Sequence, residues 1–178
     1  MTFKTRQKTV LGDIMNCMKK ILTTKGKYAI VDDKDFEEIN KNKWRVNDST
    51  GKVYAVRELN KDGKRWTEHM HRVILGKKIG RSLSSKELTD HINGIGLDNR
   101  RENLRVCNQT LNMGNSRLRK DNTTGHKGVH FNKAKNKFEA YVNFMGKRFR
   151  LGRFKDIKDA IKKRDKKYIE LYGEFARL

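Results

Sequence analysis

A chain of 178 residues with 43 Lys and Arg against 21 Asp and Glu carries a net charge of +22 and a pI near 10.2. Such an excess repels itself until a polyanion neutralises it, so nucleic acid is the first expected partner. With 35% hydrophobic residues and no apolar run near the roughly 20 residues of a membrane span, the chain suits small modules with thin cores, and neither a membrane span nor a signal peptide is expected.

Residues 1–22 read as an N-terminal arm or helix. Val10 to Met15 would start a helix, with Met18, Ile21 and Leu22 continuing its apolar face; a basic arm is the alternative. From Lys27 to Leu75 the signals are mostly strand-like. Tyr28 to Val31 is a short apolar run, Asp32 to Asp35 a turn and helix cap, and Phe36, Ile39 and Trp44 mark a buried side. Trp44 to Val46 and Val53 to Val56 are strands flanking the turn Asp48-Ser49-Thr50-Gly51. After a second turn at Lys61 to Lys64 and a run from Trp66 to Met70, His71 to Leu75 begins a helix that ends near Gly76 or Gly80.

Residues 86–119 form the next unit. Glu87 to Ile92 is a strand, the Asn93-Gly94 and Gly96 segment a flexible loop, and Asn103 to Cys107 the return strand. Asn108 caps a helix through Leu111 and Met113. Arg117 to Thr124 is a polar, basic linker. Beyond it Phe138, Ala140, Val142 and Phe144 alternate strictly, Met145-Gly146-Lys147 is a hairpin turn, and Phe149 and Leu151 continue the apolar face. Asp156 caps a helix with Asp159 as its capping-box partner, and Ile157, Ala160, Ile161, Arg164, Tyr168 and Leu171 recur at helical spacing up to Gly173. The pattern predicts three strands packed on one amphipathic helix.

The chemistry concentrates at Asp90-His91, with Asn103 twelve positions after the histidine and Asn112 twenty-one after it. Cutting a phosphodiester needs a hard metal ion to stabilise charge on phosphate and a base to activate water. A carboxylate and an amide oxygen suit Mg²⁺, and the histidine suits the base. Neighbours on a regular strand point to opposite faces, so local twist or loop geometry must bring Asp90 and His91 to one site. Arg105 is either a contact to the scissile phosphate or a solvated strand residue. Asn93 and Asn99 read as turn formers, His71 as a packed or capping residue, His69 as a surface residue and Cys107 as a small buried hydrophobe. Cys17 and Cys107, without a CxxC, cannot build a four-ligand zinc site, and reduced thiols in a cytoplasmic setting are expected.

The stretch from Lys27 to Asn115 resembles the HNH endonucleases of phages and mobile introns. The resemblance rests on Tyr28 to Asp33, Lys43-Trp44, His71-Arg72, Asp90 to Gly94, Leu97 to Arg100, Glu102 to Arg105 and Gln109 to Asn112. It implies that Asp90 and Asn112 hold one divalent cation, Mg²⁺ with Mn²⁺ as the second candidate, that His91 is the general base, and that Asn103 braces the loop behind it. Many relatives have His at the last position; Asn112 suits a hard, oxygen-preferring ion and argues against catalytic zinc.

The outward face of the C-terminal sheet would hold His130, Lys137, Glu139, Tyr141, Arg148 and Arg150, and a three-stranded sheet can enter the major groove. Lys127 to Val129, Phe138 to Val142, Lys147-Arg148, Leu151 to Phe154 and Ala160 resemble the DNA-binding domain of the plant APETALA/ethylene-response factors, which also occurs in phage HNH enzymes. That resemblance implies DNA contacts from Lys127, His130, Glu139, Tyr141, Arg148 and Arg150. The chain departs from it where Lys127, His130, Phe138 and Arg150 replace sheet tryptophans and arginines.

The expectation is therefore an α+β protein. Residues 23–119 would form the nuclease domain, with a ββα-metal core at about 86–119, and residues 120–178 a small three-stranded antiparallel sheet packed on one helix. The predicted activity is metal-dependent cleavage of double-stranded DNA, as a monomer or a DNA-assembled dimer, in the cytoplasm and without a small-molecule cofactor. The rival reading is a non-catalytic DNA-binding regulatory protein on a decayed nuclease core.

Overall fold

Thr23 to Gly26 reverses the chain with Lys25 and Gly26 both at positive φ (63° and 65°), and the flanking segments pair as a hairpin. The computed structural model describes residues 18–49 and 51–178; the helix expected from Val10 to Met15 lies outside them. Met18–Leu22 is a strand (β1) rather than a helical face. It runs antiparallel to β2, Tyr28–Asp32, burying Ile21 and leaving Met18 and Leu22 exposed. The tight turn overrides the helical spacing because pairing satisfies the strand's backbone groups at once.

Helix α1, Asp33–Ile39, follows directly. Strands β3 (Arg45–Asn47), β4 (Tyr54–Lys61) and β5 (Lys64–His69) make an antiparallel sheet in that order, and α2, Met70–Ile79, stops at Gly80 in the left-handed conformation. These pieces enclose one core: Ile21, Val31, Ile39, Trp44, Ile74 and Leu104 are buried together.

Strands β6 (Leu88–His91) and β7 (Leu104–Cys107) pair antiparallel, and α3, Gln109–Gly114, follows. The long β6–β7 connection is fixed from outside. Ile30 of β2 donates to Leu97 O and accepts from Asn99 N, both at 2.8 Å. Asp35 receives both Nε and Nη2 of Arg101 at 2.7 Å, and Asp32 receives the Arg101 backbone amide. The acidic turn at Asp32 to Asp35 thus clamps the loop that returns to the site.

The last sheet runs β10–β9–β8, with β8 Val129–Asn132, β9 Lys137–Phe144 and β10 Lys147–Phe154. Helix α4, Ile157–Tyr172, packs on it. Asp156 Oδ1 caps the Lys158 amide at 2.7 Å; no bond from Asp159 completes a capping box among the described residues. The end of α4 also reaches beyond its own sheet. Tyr168, Tyr172 and Phe175 share a core with Cys107 of β7, Val142 of β9 and the partly buried Leu88 and Leu111. The C-terminal unit and the β6–β7–α3 unit are therefore welded through common apolar contacts. No helix among the described residues is long and apolar enough to cross a membrane.

Candidate functional site

Asp90 and His91 end β6, and both are about 95% buried. Their side chains have different partners. Asp90 Oδ2 accepts from Arg105 Nε and Oδ1 from Asn115 Nδ2, each at 2.8 Å. His91 Nε2 lies 3.2 Å from Asn99 Oδ1. Because β6 stops at this point, both residues still line one cleft of about 410 Å³, together with Asn112 of α3. Asn108 caps that helix by accepting from the Leu111 amide at 2.9 Å, which sets the first turn and hence the position of Asn112. Asn112 makes no side-chain hydrogen bond among the described residues, so its carboxamide is uncommitted. Lys27, Lys52 and Arg117 put positive charge on the rim.

Asn103 braces the loop from below. It donates to Asp98 O at 2.7 Å and to Asn93 Oδ1 at 3.1 Å, and accepts from the Asn93 amide at 3.0 Å. Asn93 makes the expected Asx turn, accepting from the Ile95 amide at 2.8 Å. Asn99 does more than form a turn: it is completely buried against His91. Only the folded structure brings its amide to the imidazole, and the turn-like sequence around it hides the role.

The His91 ring packs edge-on to His71 (centroids 5.1 Å apart) and near Tyr54 (5.8 Å), and His71 touches His69 at 5.0 Å. His69 is thus half-buried in a ring cluster, not a surface residue. Burial pushes the His91 imidazole below its ordinary value, against the upward pull of the Asn99 bond, Asp90 and Asp98. His71 is held well lower still by burial, then by His91, His69 and Arg72. Cys107 is buried, and burial raises its thiol to about 11, away from reactive thiolate chemistry.

Two residues expected at DNA are committed elsewhere. Arg105 is neither solvated nor free for a phosphate. Besides Asp90 it bonds Glu174 O at 2.8 Å and stacks over the Phe175 ring at 3.7 Å. Lys127 turns inward, donating to Ser116 O (3.0 Å), Tyr168 Oη (3.2 Å) and Gly114 O (3.3 Å), where it tethers the end of α3. Burial there lowers its ammonium to about 8.

The remaining sheet residues do gather. His130, Lys137, Glu139, Tyr141, Arg148 and Arg150 line one groove. Arg153, absent from the expected set, joins them because a bulge between Arg150 and Gly152 shifts the strand's alternation and sets Arg153 opposite Glu139. Glu139 is occupied by Arg153 and Asn132, each at 3.0 Å, with His130 at 3.4 Å; the Arg153 bond holds its carboxyl below the usual range. Arg148 lies over the Tyr141 ring at 4.3 Å. Arg150 makes no side-chain bond among the described residues.

A protein-family model described as HNH endonuclease matches residues 68–113, from the end of β5 into α3. That match supports an HNH nuclease and takes in Asp90, His91, Asn103 and Asn112. No curated protein matches the chain, and no solved structure does.

Proposed function

We propose that this protein is a one-metal DNA endonuclease whose β6–β7–α3 unit is a ββα-metal core. The observation that carries the reading is the single cleft shared by Asp90, His91 and Asn112 within the matched segment. The donor set fits a hard cation. Asp90 offers carboxylate oxygens that keep lone pairs beyond their bonds to Arg105 and Asn115, and Asn112 offers an uncommitted amide oxygen. Among the described residues no three His, Cys, Asp or Glu side chains form a metal-holding group. One carboxylate and one carboxamide, completed by water and phosphate, suit Mg²⁺, with Mn²⁺ next. When bound, the cation would stabilise negative charge building on the phosphate and the leaving oxygen.

The protein's own residues supply the rest. His91 takes a proton from the attacking water as that oxygen bonds phosphorus and one ester P–O bond breaks. Its lowered basicity keeps the ring neutral and able to accept at neutral pH. Asn103 holds the loop behind it. Lys27, Lys52 and Arg117 on the rim draw the DNA backbone toward the cleft. The C-terminal groove, with Arg148, Arg150, Arg153, Tyr141 and His130, binds duplex DNA and sets where the cleft falls. Units 23–119 and 120–178 are the two parts of this division. One cleft per chain nicks one strand, and a DNA-assembled dimer would cut both. A phage or mobile-element setting suits such an enzyme.

The Asp90–Arg105 ion pair is the one observation on the side of a non-catalytic DNA-binding protein, because it occupies the acid. Supercoiled plasmid incubated with Mg²⁺, with and without EDTA, separates the two. The nuclease converts it to open circles only with metal, and His91→Ala lowers the rate by roughly 10²–10⁴-fold while DNA binding persists. Binding without metal-dependent conversion by the wild type rejects the nuclease.

A further inference from the structure

We propose that Asn99 is a positioning residue that fixes the tautomer of His91, so that Nδ1 is the nitrogen left to accept the proton; this rests on the nuclease reading above. A neutral imidazole has one N–H and one lone pair, and only the nitrogen carrying the lone pair can act as a base. His91 Nε2 lies 3.2 Å from Asn99 Oδ1 in a fully buried setting. The proton must sit on Nε2 if the amide oxygen faces it.

The orientation of that amide is set by its other end. Asn99 Nδ2 faces Leu97 O at 3.4 Å and Met70 Sδ at 3.2 Å, two acceptors. Flipping the amide would aim its oxygen at both acceptors and leave them unpaired. The Asn99 backbone is itself immobilised, since its amide donates to Ile30 O at 2.8 Å across the parallel bridge from β2. His71 packs edge-on at 5.1 Å and hinders rotation of the imidazole away from Asn99. The chain from β2 through Asn99 to His91 is thus hydrogen-bonded at every link, the kind of support by which second contacts orient catalytic histidines.

The test uses the full-length protein labelled with ¹⁵N at its five histidines. Two-bond ¹H–¹⁵N correlation spectra, recorded where the ring is neutral, read the tautomer directly. Wild type should show a protonated Nε2 and an unprotonated Nδ1 for His91. Asn99→Leu, similar in volume but without an acceptor, should mix the two tautomers. It should also lower kcat about 10–100-fold while KM for duplex DNA stays within about twofold. Asn99→Gln keeps both the amide oxygen for Nε2 and the amide nitrogen for Leu97 O and Met70 Sδ, and should keep the wild-type tautomer, with kcat well above that of Asn99→Leu. A proton on Nδ1 in the wild type overturns the assignment, as do unchanged ring shifts in Asn99→Leu. Should Asn99→Leu not fold, the wild-type and Asn99→Gln spectra decide. A wild type that shows the expected tautomer but cuts no DNA rejects the nuclease and leaves the tautomer assignment standing.

Discussion

Arg105 and Phe175, far apart in sequence, meet with the guanidinium stacked on the ring at 3.7 Å while the same guanidinium bonds Asp90. The C-terminal tail therefore reaches the acid of the cleft through one intermediary. It reaches a second support, the end of α3, as well. The Arg177 amide donates to Gly114 O at 3.2 Å beside Asn115, and a side chain added at Gly114 would run into the Tyr172 ring.

Removing the tail should therefore damage the cleft and not only the C-terminal groove. Phe175→Ala takes away a buried ring and should cost about 3 kcal/mol of stability. It also unstacks Arg105, so cleavage at saturating Mg²⁺ should fall further than DNA affinity does. Phe175→Leu should recover most of the stability but only part of the rate, because it restores volume without the cation–π face. Denaturant melts and plasmid nicking on the two variants check this; equal rates for Phe175→Leu and wild type would make the ring a packing residue alone.

Asp90→Ala and Asn112→Ala should both raise the Mg²⁺ concentration needed for half-maximal cleavage, or abolish it. Asp90→Ala has a second consequence. It leaves Arg105, at 12% side-chain exposure, with only the exposed Glu174 carboxylate at 3.6 Å as counter-charge, and a buried charge that has lost its close partner is costly. Asp90→Ala should therefore melt earlier, whereas Asn112→Ala, which breaks no bond among the described residues, should melt near wild type. An unchanged metal requirement in both variants would move the cation elsewhere.

Much of this was legible in the sequence, and the omissions share a cause. The period-two alternation from Phe138 to Phe144, the Asn108 cap and the Gly80 stop are local signals, and the chain follows them. What the sequence hid depends on pairs distant along the chain. Arg101 finds Asp35 sixty-six positions away, and Arg105 finds Glu174 sixty-nine away. Those partners turn Arg105 inward, and nothing in its own strand announces it. Asn99 carries the turn-forming chemistry of its neighbours and is separated from them only by burial. Arg153 lay on the wrong side of a strict alternation until the bulge at Arg150 to Gly152 shifted it.

The groove of the last sheet should read DNA with Arg150, whose side chain bonds nothing among the described residues, and with Arg148, which holds Asn143 Oδ1 at 3.0 Å and lies over Tyr141. Arg150→Ala and Arg148→Ala should each flatten the slope of log K against log[salt] by about 0.9 if the side chain holds a phosphate, or leave the slope and blur sequence preference if it holds a base edge. Lys127→Ala should do neither directly, because its ammonium serves α3 and Tyr168; it should instead lower the melting temperature. Salt-titrated binding to a duplex library distinguishes these outcomes. A Lys127→Ala slope change as large as that of Arg150→Ala would return Lys127 to the interface.

Acid should loosen the core next to the cleft through His71. The ring is buried and its Nδ1 has no hydrogen-bond partner among the described residues. Burial, then the neighbouring His91, His69 and Arg72, hold it well below its ordinary value, which is about 6.5. The unfolded chain therefore binds a proton there below about pH 6.5 that the folded chain refuses, so the unfolded state gains as pH falls. The contribution is fully present above that value. Below it, stability should drop by at most about 1.4 kcal/mol per pH unit for this one group, until the folded ring also protonates. His71→Phe keeps an aromatic ring against Tyr54 and His91 but cannot titrate. Urea melts from pH 7 to pH 5 should therefore show a smaller loss in His71→Phe than in wild type. Parallel losses in the two proteins would assign the acid sensitivity to other groups, with His69 the next to test.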